Sequence, residues 1–344
     1  MPIKIRSATL DADRQDLIEL FRRHLTPLSD DRRFEWLYRS NPHGPAHVWV
    51  ACDSARGEIV GAAAAFPRKM YLRGIEKMAW VFGDFCLEEK YRSLGPALQL
   101  QRAGLEAGAE LPVEFCYDFP SQSMMAIYKR LGVSENGKLV RWAKPLRIER
   151  KIEPVVRSRI LARGLGAIGN LMLKRPGWGG EKHVCQLVLQ EGPCGEEFSE
   201  LDRQLRGHFG VRTARTAEYL NWRYLAHPTA QHEIMTAQRK GTLIGYAVFT
   251  RQGEDANIVD ICSIEEPAVI ERLLTGVVRH LNQGGVATVS MAAVDLHPWS
   301  GVFEAAGFRR REASPVVVWF PRGASANSHE FRNEWHLMQG ERDS

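Results

Sequence analysis

The chain has 344 residues, of which 44% are apolar and 25% charged, and a formal net charge of +5. That length accommodates two domains of ordinary size, and the composition is that of a globular protein with large buried cores, which excludes global disorder. The mild positive charge suits an anionic small-molecule ligand and gives no ground for expecting nucleic acid as a partner.

No stretch reaches the ~18 uncharged apolar residues that a membrane span needs, and the first 15 residues, MPIKIRSATLDADRQ, lack the apolar segment of a secretory signal. Six cysteines (Cys52, Cys86, Cys116, Cys185, Cys194 and Cys262) lie far apart, without the close pairs of a zinc site or a redox motif. No metal is therefore expected, and a reducing cytoplasm is the expected location.

In chain order, Ile3–Ala8 predicts a strand, and Leu17, Ile18, Leu20, Phe21 and Leu25 give the next segment one apolar helical face. A short helix carrying Trp36 and Tyr38 follows, then a hairpin across Val48–Phe66. The run Met78–Leu87 is mostly apolar, as a buried central strand is. A helix over Pro96–Ala109, a strand over Val113–Phe119 and a helix over Gln122–Leu131 complete this half.

Residues 147–180 are basic, with apolar positions from Val155 to Leu171 near helical spacing and Arg157, Arg159, Arg163, Lys174 and Arg175 around them. They read as a linker helix packed on one of the domains, with a membrane-surface helix as the alternative. A second half runs from about His183 to Phe320. The tail after Arg322 is polar, with Phe331, Trp335 and Leu337 to anchor a last helix.

The halves repeat. Trp36, Tyr38 and Pro42 recur as Trp222, Tyr224 and Pro228 at a constant offset of 186. Glu58-Ile59-Val60-Gly61 is answered by Thr242-Leu243-Ile244-Gly245, and Asp84-Phe85-Cys86-Leu87 by Asp260-Ile261-Cys262-Ser263. Tyr128-Lys129-Arg130-Leu131-Gly132 is answered by Phe303-Glu304-Ala305-Ala306-Gly307. Four matches in one order, with offsets that shrink as loop deletions would make them, predict two copies of one α/β domain. The expected boundaries are 1–147 and 182–322, joined by a linker at 148–181 and followed by a tail at 323–344.

The central strand of the first copy leads through Arg92-Ser93-Leu94-Gly95-Pro96-Ala97 into a helix. A strand, a glycine-containing turn and a helix start form an anion site, because the first helical amides have no internal partners and the positive end of the dipole lies behind them. Gly95 permits close approach of a phosphate, and Pro96 fits the first turn, where its missing N–H matters least.

From Asp84 to Ala97 the sequence resembles the central strand and phosphate loop, (Gln/Arg)-x-x-Gly-x-(Gly/Ala), of the GNAT acyltransferase superfamily. Tyr128–Gly132 is similar to that family's second signature, and Ser121 stands where the signature often has asparagine. The resemblance implies two tandem GNAT-like domains, each a mixed, mostly antiparallel sheet flanked by helices. It implies an N-acyltransferase that takes an acyl group, expected to be acetyl, from a CoA thioester to the amine of a small-molecule acceptor. The amides of Arg92, Ser93, Leu94, Gly95, Pro96 and Ala97 would hold the pyrophosphate, with Ser121 beside the cofactor. The backbone at Leu87 would pair with the pantetheine arm, and Tyr128 would protonate the leaving thiolate.

Asp84, among apolar neighbours, is the candidate base or water relay, with a structural acceptor as its alternative. The second copy lacks the chemistry. Aligned from Asp260, its loop is Ala268–Leu273, without glycine and with Glu271 where phosphate would lie, and Phe303 replaces Tyr128. It is expected to shape the acceptor pocket. The competing functions are acyl or aminoacyl transfer from an acyl carrier protein or aminoacyl-tRNA, and ligand binding without reaction.

Overall fold

A computed structural model describes residues 3–147, 185–264, 267–321 and 335–342. The basic segment expected to be a linker lies outside the described residues, as does Phe331.

The first half opens with β1 (Ile3–Ser7), α1 (Arg14–His24) and α2 (Asp31–Phe34), which runs on into one π-helical turn (Glu35–Arg39). The α1 helix buries Leu17, Ile18, Leu20 and Phe21, the stripe that its spacing dictates. Asp30 caps α2 by accepting the Arg33 N–H at 2.8 Å. Then come β2 (His47–Asp53), β3 (Ile59–Leu72), β4 (Ile75–Leu87), α3 (Leu94–Glu110), β5 (Phe115–Asp118), α4 (Gln122–Arg130) and β6 (Glu135–Pro145). Two glycines let α3 approach the sheet. A Cβ at Gly104 would stand 3.0 Å from Phe82, and one at Gly108 would stand 3.0 Å from Cys116 Sγ.

The second half repeats the order with β7 (Gln186–Leu189), α5 (Glu196–Gln204), β8 (Val211–Thr213) and α6 (Ala217–Leu220), which again continues into a π-helical turn (Asn221–Leu225). It goes on through β9 (His232–Arg239), β10 (Thr242–Gln252), β11 (Asp255–Ser263), α7 (Pro267–Gln283), β12 (Thr288–Val294), α8 (Ser300–Ala305) and β13 (Arg309–Trp319).

All the described strands join one sheet, whose main path runs β1-β2-β3-β4-β5-β13-β6-β12-β11-β10-β9-β7. It is mostly antiparallel, with parallel pairs at β4/β5 and β11/β12. The order reveals an exchange. Strand β6, which closes the first half in sequence, pairs with β12 of the second half from Leu139↔Val294 to Pro145↔Thr288. Strand β13, which closes the second half, pairs with β5 of the first through Asp118↔Val317 and Cys116↔Trp319.

The cores are exchanged with the strands. Trp142 of β6 is fully buried among second-half residues, edge-on to Phe303 with ring centroids 5.8 Å apart. Val317 of β13 is buried in the first-half core, with Trp319 packed against it.

The sequence pattern predicts no strand after Leu131, because the polar start of β6 (Glu135-Asn136-Gly137-Lys138) hides the apolar part that follows. The tail also differs from expectation. Trp335–His336 form β14, parallel to β8, in place of a last helix. Leu337 and Met338 are fully buried, and a Cβ on Gly340 would overlap Tyr224 Oη and Val259 O, so residues 337–340 pack tightly against the second half.

Candidate active site

The β3–β4 ladder shifts register between Ala62↔Cys86 and Ala64↔Gly83, which places one extra residue on β4. That bulge holds Asp84 at φ +46°, a left-handed conformation uncommon for a residue with a side chain. Beyond the bulge β4 parts from its parallel neighbour. The β4–β5 ladder spans only Ala79↔Phe115 to Val81↔Tyr117, while β4 continues to Leu87. The Glu88 N–H bonds the Val60 carbonyl. By the alternation of an antiparallel ladder, the Leu87 N–H and C=O therefore face the opening between β4 and β5.

The phosphate-loop candidate lies at the end of this opening. Arg92 Nε donates to the Leu87 carbonyl at 3.0 Å and ties the loop to the strand. Ser93 is the N-cap of α3 in extended conformation, and its side chain makes no capping bond. The helix begins at Leu94, two residues before the expected start, so Gly95 and Pro96 lie in its first turn. Residues Arg92 to Gly95 are exposed, and a Cβ on Gly95 would meet nothing within 4 Å. The amides of Leu94 and Gly95 precede the first intrahelical partner, Ala97 N–H to Ser93 O at 3.3 Å. Pro96 forfeits an amide that the helix itself does not use. Ser121 is the N-cap of α4, and its Oγ accepts the Met124 N–H at 3.2 Å.

Tyr128 is buried, and its Oη donates to Asp118 Oδ2 at 2.8 Å while accepting from Gln101 Nε2 at 3.0 Å. Burial, then the neighbouring Asp118 charge, holds its pKa well above the usual phenol value. Asp118 is the first residue of β5 past the ladder to β4, at the lip of the opening. Burial raises its pKa to about 7, against the opposing effects of the Tyr128 hydrogen bond, the Phe119 N–H and the charge of Arg342. Sequence reasoning missed Asp118. An Asp at the end of a short strand carries no motif, and only its contact with Tyr128 distinguishes it.

Asp84 is not part of that group. Its side chain is fully buried, and Arg33 donates to both its oxygens at 2.8 Å while Tyr38 Oη donates at 2.6 Å. A carboxylate so saturated fixes the bulge and α2 relative to one another.

A cleft of about 280 Å³ lies between the halves, with Leu25, Leu28, Arg33, Trp36 and Asp84 from the first and Arg223, His227, Pro228, Thr229 and Arg342 from the second. The second half is built differently at Asp260. There Arg215 bonds Asp260 and also Glu341 of the tail, both at 2.8 Å, and Thr213 Oγ1 donates to Glu341 at 2.6 Å, all of them buried.

The second-half helix starts at Pro267, closer to Asp260 than Leu94 is to Asp84, so Pro267 rather than Ile270 is the structural counterpart of Leu94. Val269, Ile270 and Leu273 are fully buried there, and Phe303 is a core residue. Among the described residues no cluster of three or more metal-ligating side chains occurs, and no helix is long and apolar enough to cross a membrane.

No protein-family model and no curated protein sequence matches the chain. Solved structures do match. A GCN5-related N-acetyltransferase from Anabaena variabilis aligns with TM-score 0.66 at 15% identity, over 92% of this chain and 72% of that one. A probable N-acyltransferase from Enterococcus faecalis aligns with TM-score 0.65 at 12% identity, over 93% and 72%. Saccharomyces cerevisiae N-myristoyltransferase with bound myristoyl-CoA aligns with TM-score 0.58 at 10% identity, over 93% and 84%. The chain has the tandem GNAT fold that its repeats predict.

Proposed function

We propose that this chain, having the tandem GNAT fold, is an acyl-CoA-dependent N-acyltransferase whose first half binds the thioester and whose cleft between the halves receives the amine. The observation that carries this reading is the coincidence, in the first half, of a β4 edge that runs past its ladder with β5 and an exposed helix start at Leu94 and Gly95. The helix start offers amides and a positive dipole end to a pyrophosphate. The Leu87 edge offers a backbone to an extended pantetheine arm. We assign Ser121 to the rim of this groove. Because Pro96 contributes no amide and the Ser93 N–H is bonded to the Tyr91 carbonyl at 2.7 Å, Leu94 and Gly95 would bear most of the phosphate contact, with Arg92, Ser93 and Ala97 flanking them.

In the transfer itself the neutral amine forms a C–N bond to the thioester carbon, the C–S bond breaks, and one proton passes overall from nitrogen to sulfur. Asp118, titrating near neutrality, accepts the proton that the amine loses. Tyr128 gives its own proton to the thiolate and is resupplied by Asp118 across their 2.8 Å hydrogen bond. Asp84 is assigned a positioning role. Acetyl is the proposed acyl group, and soluble, cytoplasmic action is consistent with the expected reducing environment of six free cysteines.

Calorimetric titration with acetyl-CoA, myristoyl-CoA and free CoA tests the donor. One site per chain, with acetyl-CoA bound at least as tightly as the long-chain thioester, is expected. Absence of binding at millimolar CoA would overturn the assignment, and two sites per chain would overturn the division of labour between the halves.

A further inference from the structure

Strands β11 and β12 of the second half part as β4 and β5 of the first do. Their parallel ladder runs from Asp255↔Thr288 to Ile258↔Met291, while β11 continues to Ser263 and β12 to Val294. A register shift against β10, between Val248↔Asp260 and Phe249↔Ile258, leaves Val259 as an extra residue on β11 where the ladder ends. The bulge on β4 stands at the matching place in the first half. Strand β12 is paired with β6 along its other edge as far as Val294, so its edge beyond Met291 faces the opening.

The carboxy-terminal segment enters this opening. Met338 bridges Ala293 in antiparallel register, and the Val294 N–H donates to the Leu337 carbonyl at 3.2 Å. Across the opening Gly340 lies against β11, where a Cβ would stand 2.9 Å from the Val259 carbonyl oxygen and overlap Tyr224 Oη. Leu337 and Met338 are fully buried. The Glu341 carboxylate accepts from Arg215 Nη2 at 2.8 Å on one oxygen and from Thr213 Oγ1 at 2.6 Å on the other. Arg223 Nε donates to the Gly340 carbonyl at 2.8 Å.

We propose that the opening between β11 and β12 is a peptide-binding site, occupied in cis by residues 337–341, which stand where the arm of a thioester would lie in the first half. The comparison with that arm rests on the acyltransferase reading above, whereas the docking of the tail does not. An edge that runs past its ladder accepts an extended segment by backbone pairing, and pockets for individual side chains supply the selectivity. Here the backbone pairing to β12 is a single bridge, so recognition rests on the apolar pair, on a residue without a Cβ and on a carboxylate. The docked tail fills the second opening and thereby denies it to a second cofactor. It also sets one wall of the cleft between the halves, because Arg223 and Arg342 line that cleft.

The test uses a chain ending at residue 334 and a synthetic peptide of residues 335–344. Calorimetry is expected to give one peptide per chain, and the melting temperature is expected to rise with peptide concentration. Peptides carrying Gly340→Val or Glu341→Gln are expected to bind about tenfold or more weakly, through steric overlap and loss of a buried charge-assisted bond respectively. Equal binding of all three peptides, or no binding to a folded truncated chain, would overturn the proposal.

If the truncated chain does not fold, Gly340→Ala in the full chain decides. Amide exchange over residues 335–341 is expected to quicken, while β4 stays as protected as in wild type and CoA affinity stays within about twofold. Unchanged protection of the tail would overturn the proposal. So would loss of protection throughout the chain, which would make the tail inseparable from the core. A chain that gives the expected tail results and binds no CoA would keep the peptide site and defeat only the acyltransferase reading.

Discussion

Trp36 and Trp222 exchange hydrogen bonds: the indole N–H of Trp36 donates to the Trp222 carbonyl at 2.7 Å, and that of Trp222 donates to the Trp36 carbonyl at 2.8 Å. Their rings stack at 5.3 Å, and each lies on the π-helical turn of its own half. The pair marks the local two-fold relation between the copies, and its partners are themselves the repeat. Replacing either Trp by Phe removes a donor from a buried carbonyl and is expected to cost about 1–3 kcal/mol. Replacement by Ala is expected to cost about 3–5 kcal/mol. Urea denaturation of both Phe variants and the double variant should give a non-zero coupling, because each side's ring packs on the other.

At Gly95 fold and function separate cleanly. The space above it is empty and its φ is not in the left-handed region, so Gly95→Ala should leave the melting temperature unchanged or slightly raised, by up to about 1 kcal/mol of helix propensity. The same methyl group would stand between the helix amides and a phosphate. CoA affinity, measured by calorimetry, is expected to fall several-fold in Gly95→Ala and to be lost in Gly95→Glu.

Tyr128→Phe should lower kcat by about 10², toward the lower end of general acid contributions, with little change in CoA affinity. It should also reduce stability by about 1–3 kcal/mol, because Asp118 and Gln101 both lose their partner. Phe303 tolerates the same position in the second copy because no carboxylate is bonded there.

Asp118 gives a pH signature of definite sign. Its folded pKa of about 7 lies above the carboxylate value of ~4 in an unfolded chain, so the folded protein binds the proton more tightly. The stability this confers is fully present below pH ~4 and is lost as the pH rises through about 7. Asp118→Asn should flatten that fall in melts recorded from pH 4 to 8, and should abolish the rise of kcat/KM near pH 7.

The strand exchange predicts that residues 1–147 expressed alone do not form a stable domain, because β5 lacks β13 and β6 lacks β12. Mixed with residues 182–344 they should reassemble, detected as a 1:1 complex by size exclusion. A monomeric, cooperatively melting 1–147 fragment would contradict the exchange.

The sequence made the repeat, most of the order of elements and the exposed helix start after β4 legible, because each depends on local pattern: alternation, helical spacing, or a glycine at a helix start. What escaped it depends on partners. Nothing local to Glu135–Pro145 says that this strand belongs beside β12 across the molecule. Asp118 becomes notable only once Tyr128 bonds it, and the sequence offers Asp84 as a base or relay with a structural acceptor as the alternative, without naming Arg33 and Tyr38 as the donors it accepts from. The short strand at Trp335 escaped for a similar reason, since its ladder is supplied by Val211 and Arg212 from far earlier in the chain.

The exchange also sets a timetable for synthesis on the ribosome. When residue 147 has emerged, β5 still waits for a neighbour that ends at Trp319, and the Val317 and Trp319 side chains that complete the first core have yet to be translated. The nascent amino-terminal half must therefore persist with an open sheet edge and an unfinished core while roughly half the chain is made. Such long-range closure is slow and exposes apolar surface in the interim. The growing chain is expected to be a chaperone client, and codon changes that alter translation speed between the halves should change the soluble yield without altering the final protein.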